Sequence, residues 1–130
     1  MIDHVSITVP DLALAACFYD AAMAALGVPA VGHDEAALRY GERCDAAHPR
    51  RSYLTIRPGP APGSAEGRHW CFKAADRAAV ERFWRAGLAA GGADDGAPGL
   101  RPHYHPHYYA AFLRDPAGNR IEAVCHEAPA

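Results

Sequence analysis

The sequence predicts an α+β fold of two βαβββ modules, their strands forming a half-open mixed sheet around a cavity. Two observations carry this. Shifted by 65 positions, the chain matches itself, and each copy reads as an alternating strand, a capped helix and then shorter strands. His4 falls on His69, Asp11 on Asp76, Phe18 on Phe83, Tyr19 on Trp84, Ala21 on Ala86 and Gly27 on Gly92, with no gap across residues 2–28. One coincidence is cheap in an alanine-rich chain. The ordered set of His, Asp, aromatic pair and Gly is much less so.

Residues 2–9 alternate, with Val5, Ile7 and Val9 on one face and His4, Ser6 and Thr8 on the other, as in a half-buried strand. Asp11 follows Pro10 and is placed to cap a helix over residues 12–26. There Leu12, Ala15, Ala16, Tyr19, Met23 and Leu26 recur at helical spacing, and Gly27 stops the helix. Strand candidates at 36–40 and 53–57 complete module 1 (residues 1–57), and a Pro- and Gly-rich linker runs over 58–67.

Module 2 (residues 68–127) opens with Trp70 and Phe72 on one strand face and His69, Cys71 and Lys73 on the other. Asp76 caps a helix carrying Val80, Phe83, Trp84 and Leu88, with Glu81 and Arg85 paired at i,i+4 on its solvent side. Gly91 and Gly92 end it, and with Gly96 they read as loop glycines. Strands at 108–114 and 119–125 are joined by the tight turn Asp115-Pro116-Ala117-Gly118. The whole, residues 1–130, is expected to be a single domain. Neither half covers its own sheet, so the modules should pair, within one chain or between two copies.

Composition excludes several classes. Half the residues are hydrophobic and 22% are charged, an ordinary globular balance. A net charge of -2 with scattered basic residues predicts no nucleic-acid partner. No apolar run approaches the ~20 residues that cross a bilayer, and the start lacks a secretory pattern, so no membrane partner and a cytoplasmic location are expected. The four cysteines are widely spaced and read as free thiols, with Cys71 and Cys125 as small buried hydrophobes.

The chemistry is expected at the symmetric place. His4 and His69 occupy equivalent positions on the strand faces opposite the helices. In 119–125, Ile121, Ala123 and Cys125 form the packed face, leaving Glu122 opposite, where a carboxylate is costly to bury unless it is paired or ligates a metal. Arg120 or Arg57 could pair it; two imidazoles and a carboxylate could equally hold Zn, Mn, Fe, Co or Ni with open positions for substrate. A second cluster, His103, His105 and His107 with Tyr108 and Tyr109, is broken by Pro102 and Pro106 and reads as a loop at the cavity mouth rather than a metal site. His105 and Tyr108 are the candidates for acid–base work; His103, His107, Tyr109 and Arg57 are the candidates for substrate contacts. Spacing alone does not choose among them.

Three segments, IDHVSITVPDLALAACFYDAAMAALGV, RHWCFKAADRAAVERFW and YYAAFLRDPAGNRIEAV, are spread over nearly the whole chain. They resemble the two module openings and the closing hairpin of the vicinal oxygen chelate superfamily, which includes glyoxalases, bleomycin- and fosfomycin-resistance proteins and extradiol dioxygenases. The resemblance implies a metal-containing cavity with one divalent ion (Zn, Ni, Mn or Fe) on His4, His69 and Glu122. It implies a homodimer and a glyoxalase-like lyase or isomerase acting on a small oxygenated substrate. An extradiol-type dioxygenase and a metal-free, bleomycin-resistance-like binding protein are the alternatives. The fourth carboxylate ligand of glyoxalase I would fall near Arg57, where the chain has none, so the three-ligand variety is expected.

Overall fold

The computed structural model describes residues 1–64 and 66–129; Ala65, in the predicted linker, and Ala130, at the end of the predicted domain, lie outside them. In chain order the elements are β1 (His4–Val9), α1 (Leu12–Ala25), β2 (Leu38–Gly41), β3 (Tyr53–Pro58), β4 (Trp70–Lys73), α2 (Arg77–Ala89), β5 (Ala93–Leu100), β6 (Tyr109–Arg114) and β7 (Arg120–Cys125). The expected α+β class is observed. Both helices begin as their sequences dictate: Asp11 and Asp76 are extended, and their carboxylates accept the N–H of Leu14 and Ala79. Among the described residues no helix is long and apolar enough to cross a membrane.

The strands form two mixed sheets, β1-β3-β2 and β4-β7-β6-β5. The internal repeat is visible in their connectivity. In each module the first strand runs parallel to the last (β1 with β3, β4 with β7), and the last pairs antiparallel with the strand before it. The modules differ in one strand. β5 has eight residues, whereas its counterpart in module 1 is a single bridge between Ala30 and Tyr40.

β5 corrects the expectation that Gly96 is a loop glycine. Its residues, ADDGAPGL, are turn-formers, yet they pair with β6 through two register shifts on either side of Gly96. Gly96 sits at φ 149° against the Phe112 ring, so pairing to β6 overrides local preference.

One core joins the modules. Phe18, Tyr19 and Met23 of α1 meet Val80 and Phe83 of α2, with Ile7, Val9 and Ile56 from the first sheet and Leu113, Ile121 and Cys125 from the second. The helices pack on one another and bury the helix-side faces of both sheets, and neither helix covers the opposite faces. Cys125 is buried as expected, but Cys71 is exposed. Strand alternation turns it to the open face, away from the apolar residues.

Candidate functional site

Glu122 stands in the middle of β7, and the turn before it sets its register. Asp115 accepts the backbone N–H of Ala117 at 2.9 Å and of Asn119 at 2.8 Å, and Gly118 takes the left-handed φ of 91° that closes the turn. Pairing then places Glu122 between Cys71 of β4 and Phe112 of β6 on the open face. Only 2% of Glu122 is exposed. A carboxylate so deep needs partners, and Tyr108 and His69 are among them. Tyr108 donates its hydroxyl to Oε1 at 2.6 Å, and Nε2 of His69 lies 3.0 Å from Oε2. Arg120, offered by sequence as a partner, binds Asp95 at 2.8 Å instead.

Glu122 marks its neighbours. The Tyr108 phenol is held well above its ordinary range, by lost solvent first and then by its hydrogen bond to Glu122. Although Cys71 as a residue is exposed, its thiol lies against Glu122, and lost solvent there, followed by the Glu122 charge, pushes it up to about 12. Both groups therefore remain protonated at neutral pH, as donors facing a carboxylate.

Two ligands bound cis to one ion at bond lengths of about 2.1 Å are separated by about 3.0 Å. His69 Nε2 and Glu122 Oε2 have that spacing, 3.0 Å. His4 carries a different mark. Its Nδ1 lies 2.7 Å from Asp3 Oδ1, and its ring stacks on Tyr53 with centroids 4.9 Å apart. The hydrogen bond from His4 is the main reason the Asp3 carboxyl is held below the usual range. A carboxylate behind Nδ1 keeps the proton there and leaves Nε2 as a lone pair, the arrangement that metal-bound histidines use. The donor set thus fits a divalent ion in kind. It is divided in space, however: among the described residues of one chain, no group of three or more His, Cys, Asp or Glu is arranged to hold a metal. His4 belongs to the first sheet; His69 adjoins the second, where Glu122 lies.

The remaining candidates separate. The segment 101–108 is the expected irregular loop, closed by the Arg101 N–H on the Tyr108 carbonyl at 2.7 Å. His105 is engaged at both ring nitrogens. Its Nδ1 accepts the His107 N–H at 3.1 Å, and its Nε2 lies 2.8 Å from Nδ1 of His126. The His103 ring packs at a tilt against Tyr104 with centroids 4.2 Å apart, and His107 is exposed. Tyr109, a candidate substrate contact, lies on the other face of β6 from Tyr108. One residue beyond Tyr108, it faces α2, donating to Glu81 at 3.0 Å with the Arg77 guanidinium 5.0 Å from its ring centre. Arg57 is exposed on β3, beside Thr8.

Three residues escaped the sequence reading. Asp3 and His126 carried a signal, one adjoining His4 and the other falling on Glu122's side of the strand. Thr55 did not. Ser6 and Cys71 are equivalent, and they pair with Thr55 and Glu122 respectively. Thr55, rather than Arg57, therefore takes the place of Glu122 in module 1, because module 2 has two more residues before its last strand.

The sequence model of the Glyoxalase/Bleomycin resistance protein/Dioxygenase superfamily matches residues 1–123. The chain belongs to this superfamily. A glyoxalase/bleomycin resistance protein from Albidiferax ferrireducens T118 is 31% identical, with a TM-score of 0.77 over 98% of this chain and 99% of that one. A glyoxalase-related enzyme from Fulvimarina pelagi (15% identity, TM-score 0.69, 96% of this chain and 87% of that one) shares the fold. So does a lactoylglutathione lyase from Agrobacterium tumefaciens (23% identity, TM-score 0.61, 96% of this chain and 92% of that one). No curated protein matches. For this superfamily member, Thr55 is the residue at the place symmetric to the carboxylate of module 2, and it cannot serve as a second one.

Proposed function

We propose that this superfamily member is a divalent-metal-dependent enzyme of the lyase or isomerase class, acting on a small oxygenated substrate that chelates the ion. His69 and Glu122 of one protomer and His4 of a second copy are the ligands, in a homodimer. One observation carries the reading. His69 and Glu122 stand at ligand spacing, while His4, backed by Asp3, lies on the other sheet, and among the described residues no hydrogen bond engages its second nitrogen. A twofold dimer would complete two such sites from two incomplete chains.

A divalent ion (Zn, Ni, Mn or Fe) would supply Lewis-acid polarisation of substrate oxygens there. The chain supplies the rest. Asp3 holds the proton of His4 on Nδ1, and Tyr108 holds Oε1 of Glu122, leaving Oε2 on the His69 side. Arg57, in the same sheet as His4, can attract an anionic group of the substrate. Thr55 in the place of a second carboxylate favours three protein ligands over four.

Elemental analysis of the purified protein and of His69→Ala tests the metal. A near-stoichiometric divalent ion lost in the variant supports the reading, and iron would favour the dioxygenase alternative. Mixing His4→Ala with Glu122→Gln chains tests the shared site. Each alone should be inactive, and statistical exchange should restore about a quarter of the sites, because one site per heterodimer is intact. No recovery despite subunit exchange would sink the shared site. No metal even after reconstitution would leave a small-molecule binding module.

A further inference from the structure

We propose that His105 and His126 form a positioning pair that holds Tyr108 on Glu122. The direction of the hydrogen bonds is set by the backbone. The His107 N–H can only donate, so Nδ1 of His105 carries no proton and Nε2 does. That Nε2–H donates across 2.8 Å to Nδ1 of His126, and two neutral imidazoles are joined. The same assignment argues against a metal between them, since a ligating Nε2 would have to lose the proton that this bond uses.

The pair ties the loop to the end of β7. Because Tyr109 pairs with Cys125, Tyr108 and His126 are cross-strand neighbours. The Tyr108 ring meets His105 edge-on at 5.5 Å and His126 edge-on at 5.3 Å, and Tyr104 packs on it at 4.7 Å. To reach Glu122, the Tyr108 hydroxyl must pass over the Ala110–Val124 pair, which lies between. A small residue at Ala110 leaves room for it. Three rings thus confine a side chain whose hydroxyl donates to the carboxylate at 2.6 Å. Released from the pair, Tyr108 would regain rotamer freedom and Oε1 would lose its donor. Neither histidine touches the candidate ligands, so both act through Tyr108.

The proposal rests on the metal reading only where metal is the probe. In metal-free protein, NMR should show the Tyr108 hydroxyl proton as a slowly exchanging resonance, assigned by its loss in Tyr108→Phe. It should persist in His126→Asn, which keeps an acceptor for His105, and vanish in His126→Ala and His105→Ala at unchanged fold. Cobalt(II) affinity, by chelator competition, should fall about 10-fold in Tyr108→Phe. It should fall comparably in His126→Ala, remain near wild type in His126→Asn, and fall no further in the double variant His126→Ala/Tyr108→Phe. A Tyr108 hydroxyl signal that survives in His126→Ala overturns the pair, as does an additive double variant. Should the wild type bind no cobalt, the metal reading fails and the hydroxyl resonance alone decides the pair.

Discussion

Asp115 is 4% exposed, and four hydrogen bonds converge on its carboxylate: the N–H of Ala117 and Asn119, the side-chain amide of Asn119, and the hydroxyl of Tyr19 at 2.7 Å. Tyr19 lies on α1 of the first module and Asp115 in the last hairpin of the second. One bond therefore ties the halves together next to the turn that registers Glu122. Tyr19→Phe leaves a buried acceptor short of a donor to a charged group, and should cost about 1–3 kcal/mol in urea unfolding. The pH dependence has a definite sign. Burial first, then the Asp115 charge, raises the Tyr19 phenol well above its ordinary value, so the native state keeps a proton that the unfolded chain releases. This contribution is fully present below about pH 10 and is lost as pH rises beyond it. Tyr19→Phe should flatten the alkaline fall in stability; an unchanged slope between pH 8 and 10.5 would refute the assignment.

The elements were legible where local chemistry and packing agree. β1, β4 and both helices follow from strict alternation and from Asp11 and Asp76. β5 was not legible, because its Asp, Gly and Pro residues favour turns and only β6 makes them a strand. The site divides in the same way. Glu122 could be read from the alternation of its strand. Repetition marked His4 and His69 as equivalent but said nothing about the distance between them, and helix-to-helix packing leaves the two on separate sheets. Loop length hid Thr55. Gly41 shows how closely an element can depend on one residue. It ends β2 at φ 87°, and a Cβ there would lie 2.6 Å from the Ser52 carbonyl oxygen, beside the Tyr53 on which His4 stacks. Gly41→Ala meets backbone on a rigid sheet, and its left-handed strain alone costs about 1–2 kcal/mol. Thermal unfolding should show at least that loss; a neutral result would mean that β2 and β3 can separate freely.

At the scale of the molecule, a single core consumes the helix faces of both modules, so neither open sheet face can be covered by its own module's helix. Each chain presents one face with His4 and one with His69 and Glu122. If these meet across a dimer, metal binding and assembly are one equilibrium. An ion at 100 times its dissociation constant adds about 2.7 kcal/mol per site to the state that binds it. Here that state is the dimer. Zinc should therefore tighten self-association as seen by sedimentation at falling protein concentration, and chelator should loosen it. His4→Ala should dimerise as the metal-free protein does and ignore zinc, since it lacks a ligand of every shared site. Zinc that raises the melting temperature equally at all protein concentrations, with no change in assembly, would place the ion within one chain. The chain would then have to bring its sheets together by a rearrangement of the α1–α2 contact.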